Sequence, residues 1–334
     1  DVYKRQGKLF LMSAFTDKVQ QVVAMGLLGI SPELALENTN ILGYGQDQYG
    51  SDFNRLRAEL RLEHEGHPDL FAKLIVDNKT QYSSSPNSLQ NRTSLYRAYV
   101  QYRGSQHFWS VGKQRIPLGV GRIWNPIDVF NPVDSEAVEP DEREGTESLR
   151  YEYAINNLSN LDATLARRKG AIRLKGFLEY GDLALVGLVD EDNDRDIIGW
   201  ELEGEILKTG IELRSEGGSF HDRTSGERHT EFIIGAEYGF ANSLTLLTEY
   251  KFSDEEAGDY LGGSLNVQPG LLWVCSLLGV SSLEDGSGFV APSVEYSLSD
   301  DMTLNLGAFF YYGDEEDTFG EGADRYYLRW FVHF

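Results

Sequence analysis

The chain has a single cysteine, Cys275, and nine prolines among 334 residues. One thiol cannot form an internal disulfide, so no covalent staple supports the fold in any redox compartment. Cys275 is read as a buried or lipid-facing thiol. Basic residues are scarce as well: 30 Lys and Arg stand against 53 Asp and Glu, a formal net charge of -23. Nucleic acid, which needs a basic surface, is thereby excluded as a partner. Long apolar runs are missing too. The longest, Leu271 to Val280 and Val22 to Ile30, reach about half of the roughly 18 residues that a spanning helix requires. Mean hydropathy is negative, which says nothing against strands crossing a bilayer, because such strands show lipid only alternate residues. There is no nucleophile elbow, phosphate loop or dinucleotide fingerprint, and no histidine pair has zinc spacing with further ligands. His64 and His67 fall in an expected short turn, and Asp190 to Asp196 lacks the glycine and distal glutamate of a calcium loop. No metal and no cofactor are therefore expected.

What is present is the material of repeated hairpins. Aromatics make up 12% of the chain, with 18 Tyr, and 35 Gly supply turns. The last nine residues, YYLRWFVHF, alternate: Tyr326, Leu328, Trp330, Val332 and Phe334 share one face, and Tyr327, Arg329, Phe331 and His333 the other. An edge strand of a soluble sheet would alternate in the same way. A strand of this kind ending on phenylalanine also resembles the C-terminal signature of bacterial outer-membrane β-barrels, which implies that a barrel-assembly machinery reads this end.

From Thr39 onward the pattern predicts about 18 strands, and in any case 16 to 18, of an all-β, antiparallel, up-and-down transmembrane barrel. The first is placed at Thr39–Gln48 and the last at residues 324–334. Connections alternate in length. The long ones, 79–93, 116–147, 217–229 and 313–323, all fall in one class, as a barrel with tight turns at one end and longer loops at the other requires. With both termini at the short-turn end the strand count must be even. Residues 39–334 are accordingly read as one barrel domain, and residues 1–38 as a lead-in. Within that lead-in, DVYKRQ resembles translated adapter sequence, and Lys18, the apolar run Val22–Ile30 and Ser31-Pro32 have the order of a secretory signal.

Alternation also assigns faces. In FNRLRAELRLE (Phe53–Glu63), Leu56, Ala58, Leu60 and Leu62 oppose Arg55, Arg57, Glu59, Arg61 and Glu63, so the charges must face an aqueous lumen. Arg97 and Arg103 are likewise placed inside, opposite Tyr96, Ala98, Val100 and Tyr102. Later strands turn acidic, with Glu201, Glu203, Glu205, Glu231, Glu237 and Glu249 inside. An Arg-rich wall facing a Glu-rich wall would set up a transverse field across a water-filled channel.

The clearest local motif is GKQRIPLGVGRIWNPIDVFNPVD (Gly112–Asp134), with two Asn-Pro turns. It resembles a loop of the alginate-export-like and related outer-membrane porins. That resemblance implies pore-shaping roles for Arg115, Arg122, Asn125, Asp128 and Asn131. Together these readings lead to a channel in the outer membrane of a Gram-negative bacterium for passive diffusion of small hydrophilic solutes, anionic or saccharide-like, surrounded by lipid as a monomer or a homotrimer. Two alternatives are an outer-membrane hydrolase using His221, Asp222 and Ser225, and a soluble all-β binding or adhesion protein.

Overall fold

The computed structural model describes residues 30–43, 51–84, 87–255 and 258–334. Its strands are β1 (Ile30–Leu42), β2 (Ser51–His64), β3 (His67–Ser84), β4 (Asn87–Arg103), β5 (His107–Gln114) and β6 (Thr146–Asn156). These lead into β7 (Ser159–Ala166), β8 (Lys169–Leu178), β9 (Gly181–Asp190), β10 (Arg195–Glu205), β11 (Ile211–Asp222) and β12 (Arg228–Gly239). The chain finishes with β13 (Leu244–Ser253), β14 (Tyr260–Gly270), β15 (Trp273–Ser282), β16 (Gly288–Ser299), β17 (Met302–Tyr312) and β18 (Arg325–His333). All are antiparallel and pair in sequence order. β1 also pairs with β18, from Glu37↔His333 to Leu42↔Leu328, closing an 18-stranded barrel. The N–H of Phe334 donates to the Leu36 carbonyl at 2.8 Å, so the seam extends to the last residue.

The alternation has the expected outcome. On β2, Arg55 and Arg57 point into the barrel and are only 5% and 7% exposed. Outward residues such as Ile172, Leu185 and Ile198 remain 61%, 60% and 79% exposed. Apolar exposure on that scale, carried round the wall, is stable only against lipid. On β15, Cys275 pairs with Val267 and Val294 on the outward face and is partly exposed.

Several boundaries differ from expectation. β1 begins at Ile30 instead of Thr39, so residues 30–38 belong to the barrel. The rest of the proposed signal, and residues 44–48 of the expected first strand, lie outside the described residues. Ser31-Pro32 reads as a breaker in sequence, but residues 30–35 pair with β2 alone, and on such an edge a proline is tolerated. The expected loop 79–93 is instead the upper part of a long hairpin, with β3 of 18 residues and β4 of 17. Its polar residues form cross-strand hydrogen bonds, Asn78 to Thr93 at 2.9 Å and Asn91 to Thr80 at 2.6 Å. The expected loop 217–229 contracts to a turn at 223–227, because Gly217 to Asp222 continue β11. Tyr96, placed outside by parity, occupies a bulge opposite Ile75 and Val76 and points inward. There it is 4% exposed, with the Arg57 guanidinium 4.0 Å from its ring centre.

Register and lipid exposure together give a direct expectation. Leu174→Arg, at an outward position of β8 that is 47% exposed, should destabilise the barrel by about 2–4 kcal/mol, read as a lower denaturant midpoint for unfolding from lipid vesicles.

Candidate functional site

Between β5 and β6 the chain runs from Arg115 to Gly145 without regular structure. This segment folds into the lumen and is fixed to opposite walls by two different chemistries. Its ends are joined first. Asn131 Oδ1 accepts from the N–H of Ile116 at 2.8 Å, while its Nδ2 donates to the Glu144 carbonyl at 2.6 Å. The two Asn-Pro turns form as the sequence suggests. The Asp128 N–H donates to the Asn125 carbonyl at 3.1 Å, and Asp128 Oδ1 accepts from the N–H groups of Phe130 and Asn131 at 3.1 and 2.8 Å. Burial pushes the Asp128 carboxyl up to about 6, against the pull of those N–H groups and of Arg143.

The first half of the loop offers backbone N–H groups. Gly119 donates to Glu201 at 2.9 Å, Val120 and Gly121 to Glu216, the latter at 2.9 Å, and Arg122, Ile123 and Trp124 to Glu249 at 2.6, 2.8 and 3.3 Å. Six consecutive amides thus engage three carboxylates on β10, β11 and β13. Each acid is almost completely buried, and a buried carboxylate is tolerable only with donors of this kind. Close approach demands glycine: a Cβ on Gly119, where φ is +81°, would lie 2.6 Å from Glu216 Oε2. On the wall, a Cβ on Gly262 would lie 2.7 Å from the Ile123 side chain. Beneath the turns, Ile116, Leu118, Ile127 and Phe130 pack on Val186, Leu188, Ile197 and Phe220.

The second half offers carboxylates. Glu139 makes a two-point pair with Arg55 at 2.9 and 3.1 Å and reaches Arg329 at 3.6 Å. Glu142 pairs with Arg57 at 3.0 and 2.8 Å, and Arg57 is also held by Asp77 at 2.8 and 2.9 Å. Glu136 accepts from the Tyr311 hydroxyl at 2.7 Å, and its carbonyl accepts from Arg325.

The candidate pore residues therefore divide. Arg55, Arg57, Glu201 and Glu249 hold the loop and do not line open water. Asp128 and Asn131 shape the loop from within, and Asn125 ties it to Glu216 at 3.3 Å. Arg97 supports it through the Arg143 carbonyl at 3.3 Å. Arg61 and Arg103 are exposed toward the short-turn end, away from the loop, and Arg115 is exposed at the loop's start. Arg122, with its side chain 54% exposed, faces Glu203 at 3.5 Å, and Glu237 is paired with Arg214 at 2.8 Å. A cavity of about 560 Å³ lies between the loop and the β12–β18 wall. Ser264, Asn266, Ser276, Ser293 and Asn305 line it, with Arg122 and Asp141 on the loop side. Of the two expected charged walls, Arg55, Arg57, Glu201 and Glu249 are engaged in binding the loop.

Sequence reading missed Arg214, Glu216, Glu139 and Glu142. The first two lie on a strand cut short at the Gly217-Gly218 pair. The other two lie in an acidic run indistinguishable in sequence from a solvated loop. The hydrolase set fails on geometry. Asp222 accepts from the N–H groups of Thr224 and Ser225 at 2.8 and 2.7 Å to shape its own turn, and His221 is hydrogen-bonded to neither Asp222 nor Ser225.

Two outcomes follow from the anchors. Glu249→Ala leaves three N–H groups without their acceptor, at about 1–3 kcal/mol for each buried one. The barrel should still migrate as a heat-modifiable species, but with larger and noisier single-channel steps; unchanged steps would show that this acid does not hold the loop. Burial disfavours ionised Glu142, yet Arg57 and Arg55 outweigh it and hold the carboxyl down at about 2. Its folded pKa is depressed, so its contribution is complete above about pH 4.5 and is lost as pH falls toward 2. Conductance noise should rise across that acidic window and be absent from it in Glu142→Gln.

No family model matches the sequence, and no curated protein does. Solved structures do. OccK5 (OpdH) of Pseudomonas aeruginosa is similar with a TM-score of 0.60 at 10% identity, covering 91% of this chain and 97% of its own. OccK2 (OpdF) of the same organism, solved with glucuronate, gives a TM-score of 0.58 at 11% identity over 91% and 97%. OmpF of Salmonella typhi, in complex with daunomycin, gives 0.52 at 14% identity over 92% and 98%. At these identities the likeness is one of fold: this chain has the architecture of bacterial outer-membrane porins.

Proposed function

We propose that this protein is a diffusion channel of a Gram-negative outer membrane, passing small hydrophilic solutes of saccharide type past a constriction formed by residues 115–145, and that it is not an enzyme. The observation that carries this reading is the loop itself. It is fastened across the lumen by buried polar bonds, yet it leaves beside it a cavity lined by hydroxyl and amide groups together with the charged Arg122, Asp141 and Glu237. Such groups exchange hydrogen bonds with a polyol at little net cost, whereas an apolar solute would only desolvate them. Arg122 supplies an exposed cation at the constriction, suited to the carboxylate of an acidic sugar. The glucuronate in the OccK2 structure supports the same class, and the motif Gly112–Asp134 supports kinship with the alginate-export-like porins. Lipid surrounds the outward apolar band. The barrel-assembly machinery is the expected reader of Tyr326, Leu328, Trp330, Val332 and Phe334. Native electrophoresis of the folded protein separates a monomer from a homotrimer.

Liposome swelling tests the reading. Glucose and glucuronate should both enter proteoliposomes, and Arg122→Ala should slow glucuronate relative to glucose by several-fold. Folded barrel that admits neither sugar would overturn the channel, and an unchanged ratio would remove Arg122 from selectivity.

A further inference from the structure

We propose that His229, Glu231 and Glu255 form a binding site for a first-row divalent cation of the zinc type at the long-loop end of the barrel. His229 and Glu231 lie two residues apart on β12, so alternation points both into the lumen; Glu255 reaches them from the turn after β13. The candidate ligand atoms of all three lie within 4.8 Å of one another. His229 Nε2 is 3.0 Å from Glu255 Oε2 and 3.7 Å from Glu231 Oε1. Ligands bound at about 2.0–2.2 Å around a tetrahedral ion would sit at comparable separations.

The imidazole nitrogen points to a ligand independently of the acids. The His229 side chain is only 11% exposed, and its Nε2 is buried without a hydrogen-bond partner, because Glu255 is near it but off the line of an N–H bond. A buried ring nitrogen within 3.7 Å of an oxygen on each of two carboxylates has the placement of a metal-bound histidine. The ring is held there by stacking on Phe220, with centroids 4.8 Å apart and planes 10° from parallel. Arg195 Nη2, 2.5 Å from Glu255 Oε1, fixes the outer carboxylate and leaves its other oxygen toward the histidine. One nitrogen and two oxygens favour zinc-like ions over calcium or magnesium, which take all-oxygen shells. A bound ion would join β12 to the β13–β14 turn beside the apolar cluster that seats Ile127 of the lumen loop, since Phe220 belongs to both.

The test is calorimetric titration of chelator-washed, detergent-folded protein with ZnCl2 near neutral pH, with MgCl2 as the control. One saturable Zn²⁺ per barrel is expected, with no Mg²⁺ signal, and an affinity about tenfold or more lower in His229→Ala and in Glu255→Ala. Glu255 lies in an exposed turn, so that variant carries the test if His229→Ala does not fold. Absence of saturable binding to heat-modifiable wild-type barrel would overturn the site. So would Zn²⁺ binding undiminished in Glu255→Ala, which would place the ion elsewhere, as at the His64–His67 pair with ring centroids 5.1 Å apart.

Discussion

Everything specific to this barrel depends on carboxylates that are out of water and satisfied by backbone amides. Glu201, Glu216 and Glu249 would each be costly on a dry wall, and the amides of Gly119 to Trp124 would be costly in a loop without secondary structure. Brought together, each removes the penalty of the other. On the opposite side the polarity is reversed: the wall supplies guanidinium groups and the loop supplies Glu139 and Glu142. The segment between β5 and β6 is therefore oriented as well as attached. Its amide-rich half fits only the acidic wall, and its acidic half only the basic one.

Removing either partner of these pairs leaves a buried charge or a set of unpaired amides, so single substitutions at the anchors are costlier than the surface ion pairs they resemble in sequence. The cavity beside the loop is bordered by some of these anchors, and on the wall side largely by neutral groups on β14 to β17, Ser264, Asn266, Ser276, Ser293 and Asn305.

Much of the fold was legible because a period-two pattern must hold its apolar residues to lipid. In Phe53–Glu63 one register alone keeps five charges out of the bilayer. The even strand number followed from the placement of long and short connections. Where the reading failed, a local signal was overridden. Pro32 sits on an edge where it breaks nothing, and the polar residues near Asn78 and Asn91 pair across a hairpin without needing an apolar face. Tyr96 turns inward because a bulge shifts its parity, which no alternation count reveals. In the site, the motif Gly112–Asp134 announced an ordered loop and its turns. Its attachment was not legible, because backbone N–H groups carry no sequence signature and an acidic run such as Glu139 to Glu144 reads as solvated until its arginines are placed.

The double attachment of Glu139 bears on how the barrel stays closed. Arg55 lies on β2 and Arg329 on β18, the two neighbours of β1, so this one carboxylate spans the seam from inside. This bridge exists only where β1 has met β18, so the contact that helps to hold the loop also resists reopening of the seam.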